Sequence, residues 1–488
     1  MPKKLVLTYV DSLRTDMLLR AVAEDRAPTF GALIERGVLI EDCVSSFPSV
    51  TPVACAEMVT GVAADEHWIS GMNWYHRLER RYVEYGSSLE ASRAFGIFRS
   101  LYDLVYNMNL AHLSPEVETL FESLDDAGLR TACTPFLIYR GRHRHQVSLE
   151  GLLRRAVDAT RLKFRHHTWG PTDLFYGDLY ASRELPCRST SIPGSRDGYS
   201  ACCAAELSKR DGFDFLLFSL PDNDNYSHRY GPEASLESIA KADHCFGKLV
   251  EASGDLDGFL DEHAVILLAD HAQTPVHRGL PLAELLGREW SVLQPSESRP
   301  EAAQLAVSPT GRAAHVYLLP GEGERADPAA VRTTLATIEG VDLVCHRDGE
   351  WAVVERDSAS LRFQPGKGVR DLRGAGWKID GDLGALAAGI EKGTLDSQAY
   401  PDPLGRVWSA LAAPQAGDFV LSLTPGYEAV DWGGVSHAGG GSHGSLHAGD
   451  SLGPLLFVGC GPDRADERRQ WALRDVAPAV RGHFGLGS

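Results

Sequence analysis

Thr51 stands in SSFPSVTPVACAEMVTG, directly before a proline and a helix-like run. A hydroxyl at a helix N-terminus faces the positive end of the peptide dipole, which favours phosphate oxygens, so this threonine is a candidate nucleophile toward phosphorus. Threonine followed by proline is equally an ordinary way to start a helix. The hydroxyl needs a neighbouring cation to lower its pKa, and the chain offers side chains that hold one. Asp11 ends the apolar run in TYVDSLRTD, and Asp224 and His228 stand four apart in LPDNDNYSHRYGP. Asp270 and His271 follow AVILLA as neighbours, and His443 lies in VSHAGGGSHGSLHAGD with His437 and His447 nearby. Taken singly, these read as well as turn, capping or linker residues. Together, Asp11, Asp224 and Asp270 with His228, His271 and His443 suffice for two zinc sites of three protein ligands each, each with an open position. Sites of this kind also accept other divalent ions.

Convergence of these residues requires elements that bring them to one place. Apolar runs at 5–10 (LVLTYV), 213–220 (FDFLLFSL), 264–270 (AVILLAD) and 455–459 (LLFVG) alternate with helix-like stretches, the pattern of buried parallel strands joined by crossover helices. Ligands bind such sheets at the carboxyl ends of the strands, where most of the candidate residues fall. Residues 276–430 read differently: AAHVYLLPGEGERADPAAVRTTLATIEGVDLVCHRDGEWAVVERDSASLRF suggests a strand–helix–strand–strand unit inserted into the main sheet. GDFVLSLTP at 417–425 reads as the return of the core pattern, an edge strand. The expected organisation is a catalytic core over 1–275 and 431–488, interrupted by a smaller α+β subdomain. No internal repeat suggests a solenoid or propeller.

A chain of 488 residues exceeds the roughly 250–300 at which one core stops growing, so a large domain with a smaller one is expected. Its net charge of −18 argues against nucleic acid as a partner, since phosphate backbones are held by clustered Lys and Arg. An anionic substrate therefore needs local positive charge, which metal ions supply. The nine cysteines include no CxxC and do not form a disulfide framework; most read as buried thiols. No apolar run approaches the ~20 residues that span a bilayer, so no membrane partner is expected. MPKKLVLTYV reads as a first core strand rather than a signal peptide, which makes the cytoplasm the expected location.

The motifs YVDSLRTD, FPSVTPVACAEMVTG, DNYSHRYGP, LLADHAQ and SHGSLHAGDSLGPLLF, in this order, resemble the alkaline phosphatase superfamily, in particular its nucleotide pyrophosphatase/phosphodiesterase-like branch, in which the nucleophile is a threonine. The resemblance implies an alkaline phosphatase-like α/β fold with a mostly parallel central sheet, helices on both faces and a smaller inserted α+β subdomain. It implies two divalent metal ions, taken as Zn2+. Asp224, His228 and His443 would hold one, and Asp11, Asp270 and His271 the other, with Thr51 facing the second and forming a covalent phosphothreonine.

Two departures from the family lie near the nucleophile. Ala54 stands where this branch commonly has an asparagine three residues after the threonine, and Met72 stands where a second asparagine binds a phosphoryl oxygen. Asn73, one residue on, is the candidate for that second role. Arg140 and Arg142 in YRGRHRH resemble a basic pair that grips dianionic substrates in some superfamily members, or else form a solvated basic loop. The expected activity is phosphodiester or nucleotide pyrophosphate hydrolysis on a small phosphorylated substrate. A phosphomonoesterase or phosphonate hydrolase on the same metal centre is the alternative, and a phospho-ligand-binding pseudoenzyme the non-catalytic one. A sulfatase is disfavoured, because its motif needs Cys or Ser where Thr51 stands.

Overall fold

Residues 5–10 alternate strictly between two cores. In β1 (Lys4–Val10), Leu5, Leu7 and Tyr9 are buried on one side and Val6 and Val10 on the other, so both faces of this strand are covered. The computed structural model that shows this describes residues 2–146, 167–177, 180–188, 196–297, 299–321, 323 and 325–487. The strand lies at the middle of a seven-stranded sheet with β2 (Val38–Val44), β3 (Thr131–Cys133), β4 (Asp173–Leu174), β5 (Phe215–Leu220), β6 (His263–Leu268) and β7 (Leu452–Val458), in the order β2-β7-β6-β1-β5-β3-β4. β1 pairs in parallel with β5 and β6, and β3 with β4 and β5. Helices cover both faces. Helix α1 (Thr51–Thr60) and α2 (Leu120–Asp126) pack on the face of Leu5 and Leu7, while the helices over 15–34, 196–209 and 236–251 pack on the face of Val6.

The run at 455–459 corrects one sequence expectation: β7 is antiparallel to both β6 and β2. The chain reaches β7 from the loop carrying His443, at the carboxyl end of the parallel strands, so it enters the sheet from that end and runs back through it.

A second sheet of nine strands is built from residues 305–423. The strand expected to return to the main sheet, Phe419–Leu423, lies instead inside this second sheet, between Ala313–Leu318 and Val341–Asp348. Its side chains alternate between two small cores, Val420 on one face and Phe419, Leu421 and Leu423 on the other. An alternating buried strand satisfies either sheet equally well, so its pattern does not name its partner. Between the sheets, Thr274–Leu280 pairs with Gly426–Ala429 and with Gly441–Ser442, which suspends the His443 loop beside the end of β6.

A disulfide joins Cys187 to Cys202, while the other seven cysteines are free and six of them buried. Spacing alone does not reveal such a pair. Among the described residues no helix is long and apolar enough to cross a membrane.

Candidate active site

Each candidate side chain is delivered by the end of a core element. Asp11 leaves β1, and its backbone is held by Leu220 of β5 and by the Asn223 carboxamide, which donates to the Asp11 carbonyl at 2.8 Å. Asp270 and His271 leave the neighbouring β6. Asp224 and His228 lie one turn apart on helix α3 (Asp222–Tyr230), which follows β5 at once, and four-residue spacing puts them on one face. His443 follows the Gly441–Ser442 bridge to Thr274–Pro275. Gly440 precedes that bridge, where a Cβ would collide with the His228 carbonyl; only glycine lets the loop sit this close to α3.

The donor atoms of Asp224, His228 and His443 lie within 4.8 Å of one another, as do those of Asp11, Asp270 and His271. The His271 and His443 rings stack at 3.7 Å and join the two trios. Thr51 begins α1 with its Oγ1 3.3 Å from His271 Nε2. The Thr51 segment is tied to the His443 loop through Ser49, whose hydroxyl donates to the Ser445 carbonyl and accepts from Gly444 N–H.

The chemistry of these donors fits divalent cations. Each imidazole commits Nδ1 to a backbone carbonyl: His228 to Gly441 at 2.7 Å, His443 to Ser49 at 2.8 Å and His271 to Ala272 at 3.2 Å. A carbonyl only accepts, so Nδ1 carries the proton and Nε2 is left with a lone pair. Those lone pairs face carboxylates, at 3.3 and 3.6 Å from Asp224 Oδ1 for His228 and His443 and at 3.1 Å from Asp270 Oδ2 for His271. Protonation would relieve the contact, yet burial lowers all three imidazoles to about 4. Acceptor facing acceptor is repulsive unless a cation lies between them. Asp11 Oδ1 is buried without a hydrogen-bond partner. Burial, and then Asp270 and Asp224, hold the Asp11 carboxyl well above the usual carboxylate range, and burial pushes Asp270 up to about 6. Burial also opposes ionisation of Asp224, and it is held low chiefly by positive charge on His228, His443 and His271, which their own burial withholds. Carboxyls crowded this way ionise together only with positive charge among them.

Three further groups that did not stand out in the sequence serve the site, together with His437, which the sequence placed near His443. Ser12 donates to Asp224, Gln273 donates to both Ser12 and Asp224, and the Tyr9 hydroxyl donates to Asp270 Oδ2 at 3.1 Å. His437 stacks on His228 at 4.0 Å and is held through Nδ1 by Glu428 at 2.8 Å. Ser12 follows Asp11 directly and Gln273 lies two residues after His271, which was the available signal.

Three sequence candidates take other places. Asn73 is buried, and its amide donates to the Pro309 carbonyl in the second sheet rather than to the cluster. The Arg140 guanidinium binds Glu122 and the carbonyls of Leu113, Ser114 and Val117. Arg142 binds Glu118, Glu122 and Asp126. Glu122 is also the capping-box partner of Thr119 at the start of α2, so the two arginines clamp that helix.

Two Asp/His trios and a hydroxyl thus meet at the carboxyl end of a mostly parallel sheet with helices on both faces, the arrangement that the resemblance to the alkaline phosphatase superfamily implies. The family model for type I phosphodiesterase/nucleotide pyrophosphatase matches residues 5–445, and the chain belongs to that family. No curated protein matches it in sequence. Among solved structures it is similar to phosphonoacetate hydrolase from Sinorhizobium meliloti 1021 in complex with phosphonoformate, at 15% identity and a TM-score of 0.56 over 99% of this chain and 96% of that one. The complex of that enzyme with phosphonoacetate gives the same identity, coverage and score. Murine ectonucleotide pyrophosphatase/phosphodiesterase 5 is similar at 14% identity and a TM-score of 0.57, over 99% and 95% of the two chains. The chain is a phosphoester hydrolase of the nucleotide pyrophosphatase/phosphodiesterase type, whose members depend on metal.

Proposed function

We propose that the chain hydrolyses a small phosphodiester or nucleotide pyrophosphate through a covalent phosphothreonine at Thr51, with two divalent cations, preferentially zinc. The observation that carries this reading is the Thr51 hydroxyl 3.3 Å from His271 Nε2, at the N-terminus of α1 and beside the Asp11–Asp270–His271 trio. Asp224, His228 and His443 would hold one cation and Asp11, Asp270 and His271 the other; imidazole and carboxylate donors in threes suit zinc. When bound, such cations polarise phosphoryl oxygens and lower the pKa of a neighbouring hydroxyl.

Thr51 Oγ forms a bond to phosphorus as the bond to the leaving alcohol or nucleotide breaks, and water later cleaves the Thr51–phosphoryl bond. The α1 N-terminus contributes its positive dipole end to the phosphoryl oxygens. The backbone carbonyls of Gly441, Ser49 and Ala272 hold the three imidazoles through Nδ1.

Charge favours a diester. The four positive charges of two divalent ions exceed the three ionised carboxylates by one, which matches a monoanionic diester. A dianionic monoester calls for a further cation, and Arg140 and Arg142 are occupied by α2. Phosphonate hydrolysis is the second reading, favoured by the fold likeness to phosphonoacetate hydrolase. Hydrolysis of a panel of diesters, monoesters and phosphonates, paired with metal analysis and mass spectrometry of acid-quenched enzyme, tests the proposal. Expected are phosphorylation at Thr51 and preference for diesters; turnover that survives complete metal removal overturns it.

A further inference from the structure

Ser12 reaches across the site in two directions at once. Its hydroxyl donates to Asp224 Oδ1 at 2.7 Å, in the trio with His228 and His443, while its backbone N–H donates to Asp270 Oδ1 at 3.1 Å, in the other trio. It can do both because its backbone is left-handed, with φ of 59°. A residue other than glycine seldom adopts this conformation. Gln273 completes the arrangement: its Nε2 donates to Asp224 Oδ1 at 2.7 Å and to Ser12 Oγ at 3.1 Å. Its Oε1 is buried with no partner, so the side chain is held in place for its donor alone.

We propose that Ser12 and Gln273 are positioning residues that fix the Asp224 carboxylate and thereby set the cation affinity of the Asp224–His228–His443 trio separately from that of the other trio. The inference rests on the metal-dependent reading above. Two converging donors fix the rotation of a carboxylate that otherwise turns freely about its terminal bond. They leave Asp224 Oδ1 facing the Nε2 atoms of His228 and His443. Ser12 also meets the second trio, through its backbone N–H to Asp270 and through its Oγ 3.2 Å from His271 Nδ1, whereas the Gln273 amide donates to Asp224 and Ser12 and to no member of that trio.

Ser12→Gly keeps the left-handed backbone and the N–H to Asp270 while deleting the hydroxyl and its contact with His271, so Gln273→Met is the more selective variant. Gln273→Met removes the second donor at similar volume. Metal-free wild type and both variants are titrated with Zn2+ against a chelating indicator, and the unfolding temperature of each metal-free protein is recorded. Expected in Gln273→Met is a loss of roughly 10–100-fold in the affinity of one equivalent, with the other within about twofold of wild type, and in Ser12→Gly a larger loss at that same equivalent than at the other. The unfolding temperature of the metal-free protein should not change. Two unchanged affinities in both variants overturn the proposal. So does an equal weakening of both equivalents with a lowered unfolding temperature, which marks a general scaffold role. A wild type that binds no Zn2+ removes the functional reading itself, a result distinct from either.

Discussion

Thr51 tests two explanations of one residue, because a threonine at this point is either a nucleophile or a helix cap. The structure weakens the second: the cap position is Val50, and no side chain makes a capping hydrogen bond at the start of α1. Thr51→Ala is therefore expected to abolish turnover while changing stability by no more than about 0.5 kcal/mol and leaving metal content intact. Thr51→Ser, which keeps the hydroxyl, should retain measurable turnover. Steady-state kinetics with denaturant melts checks both, and a folded Thr51→Ala enzyme with near wild-type rate refutes the nucleophile. Asp270→Asn and His271→Ala should each lower both metal occupancy and rate, since either removes a donor from one trio. The convergence of the six Asp and His side chains was legible because each follows an apolar run or lies in a loop feeding one, and strand ends converge in a parallel sheet. Asn73, Arg140 and Arg142 were not, because spacing within a loop does not say which way a side chain turns. Ser12 and Gln273 were hidden for a similar reason: a hydroxyl and an amide become informative only through their partners.

Helix α1 carries a second testable group two turns beyond the nucleophile. Glu57 is buried, and burial raises its pKa to about 7 despite Arg474 and Arg406 nearby. Its ordinary value is 4.5, so between pH 4.5 and 7 the unfolded chain has released a proton that the folded chain keeps. Stability from this group is thus complete below pH 4.5 and lost as the pH rises through 7, by roughly 3 kcal/mol. Glu57→Gln should abolish that slope and be relatively more stable at pH 8 than at pH 5, measured as the difference from wild type in urea melts at the two pH values. A second element-scale link joins the sheets: Arg312, fully buried, donates to Asp450 at 2.5 Å, and its backbone N–H donates to the His443 carbonyl at 2.7 Å. Truncating one member of a buried pair leaves the other charge uncompensated, so Arg312→Ala should cost about 3–5 kcal/mol in the same melts. This coupling explains what could and could not be read at the level of elements. The core strands 5–10, 213–220 and 264–270 announce themselves as continuous buried runs. The direction of β7 and the sheet that takes Phe419–Leu423 depend instead on where the chain re-enters, and that is settled by long-range contacts such as this one.

At the scale of the whole molecule, a chain of net charge −18 must bind an anion. Far from the site the field repels phosphorylated substrates, and close to it the local charge of the two trios and their cations decides. Repulsion acts on each unit of substrate charge, so a dianionic monoester is disfavoured at both ranges: it meets the larger long-range barrier and finds no spare arginine at Arg140 or Arg142. Salt separates the two contributions. Raising ionic strength from about 0.01 to 0.15 M shortens the screening length from ~30 to ~8 Å, which removes the distant repulsion and leaves the site chemistry largely in place. The kcat/KM of both substrates should therefore rise with salt, more steeply for the monoester, while the diester remains the better substrate throughout. Replacing Arg140 and Arg142 together by alanine should leave the monoester-to-diester ratio nearly unchanged and show its effect in stability, through the loss of the clamp on α2. A wild-type enzyme that prefers the monoester at every ionic strength, and loses that preference selectively in the double variant, would instead place the two arginines in the binding site and reassign the protein to monoester or phosphonate chemistry.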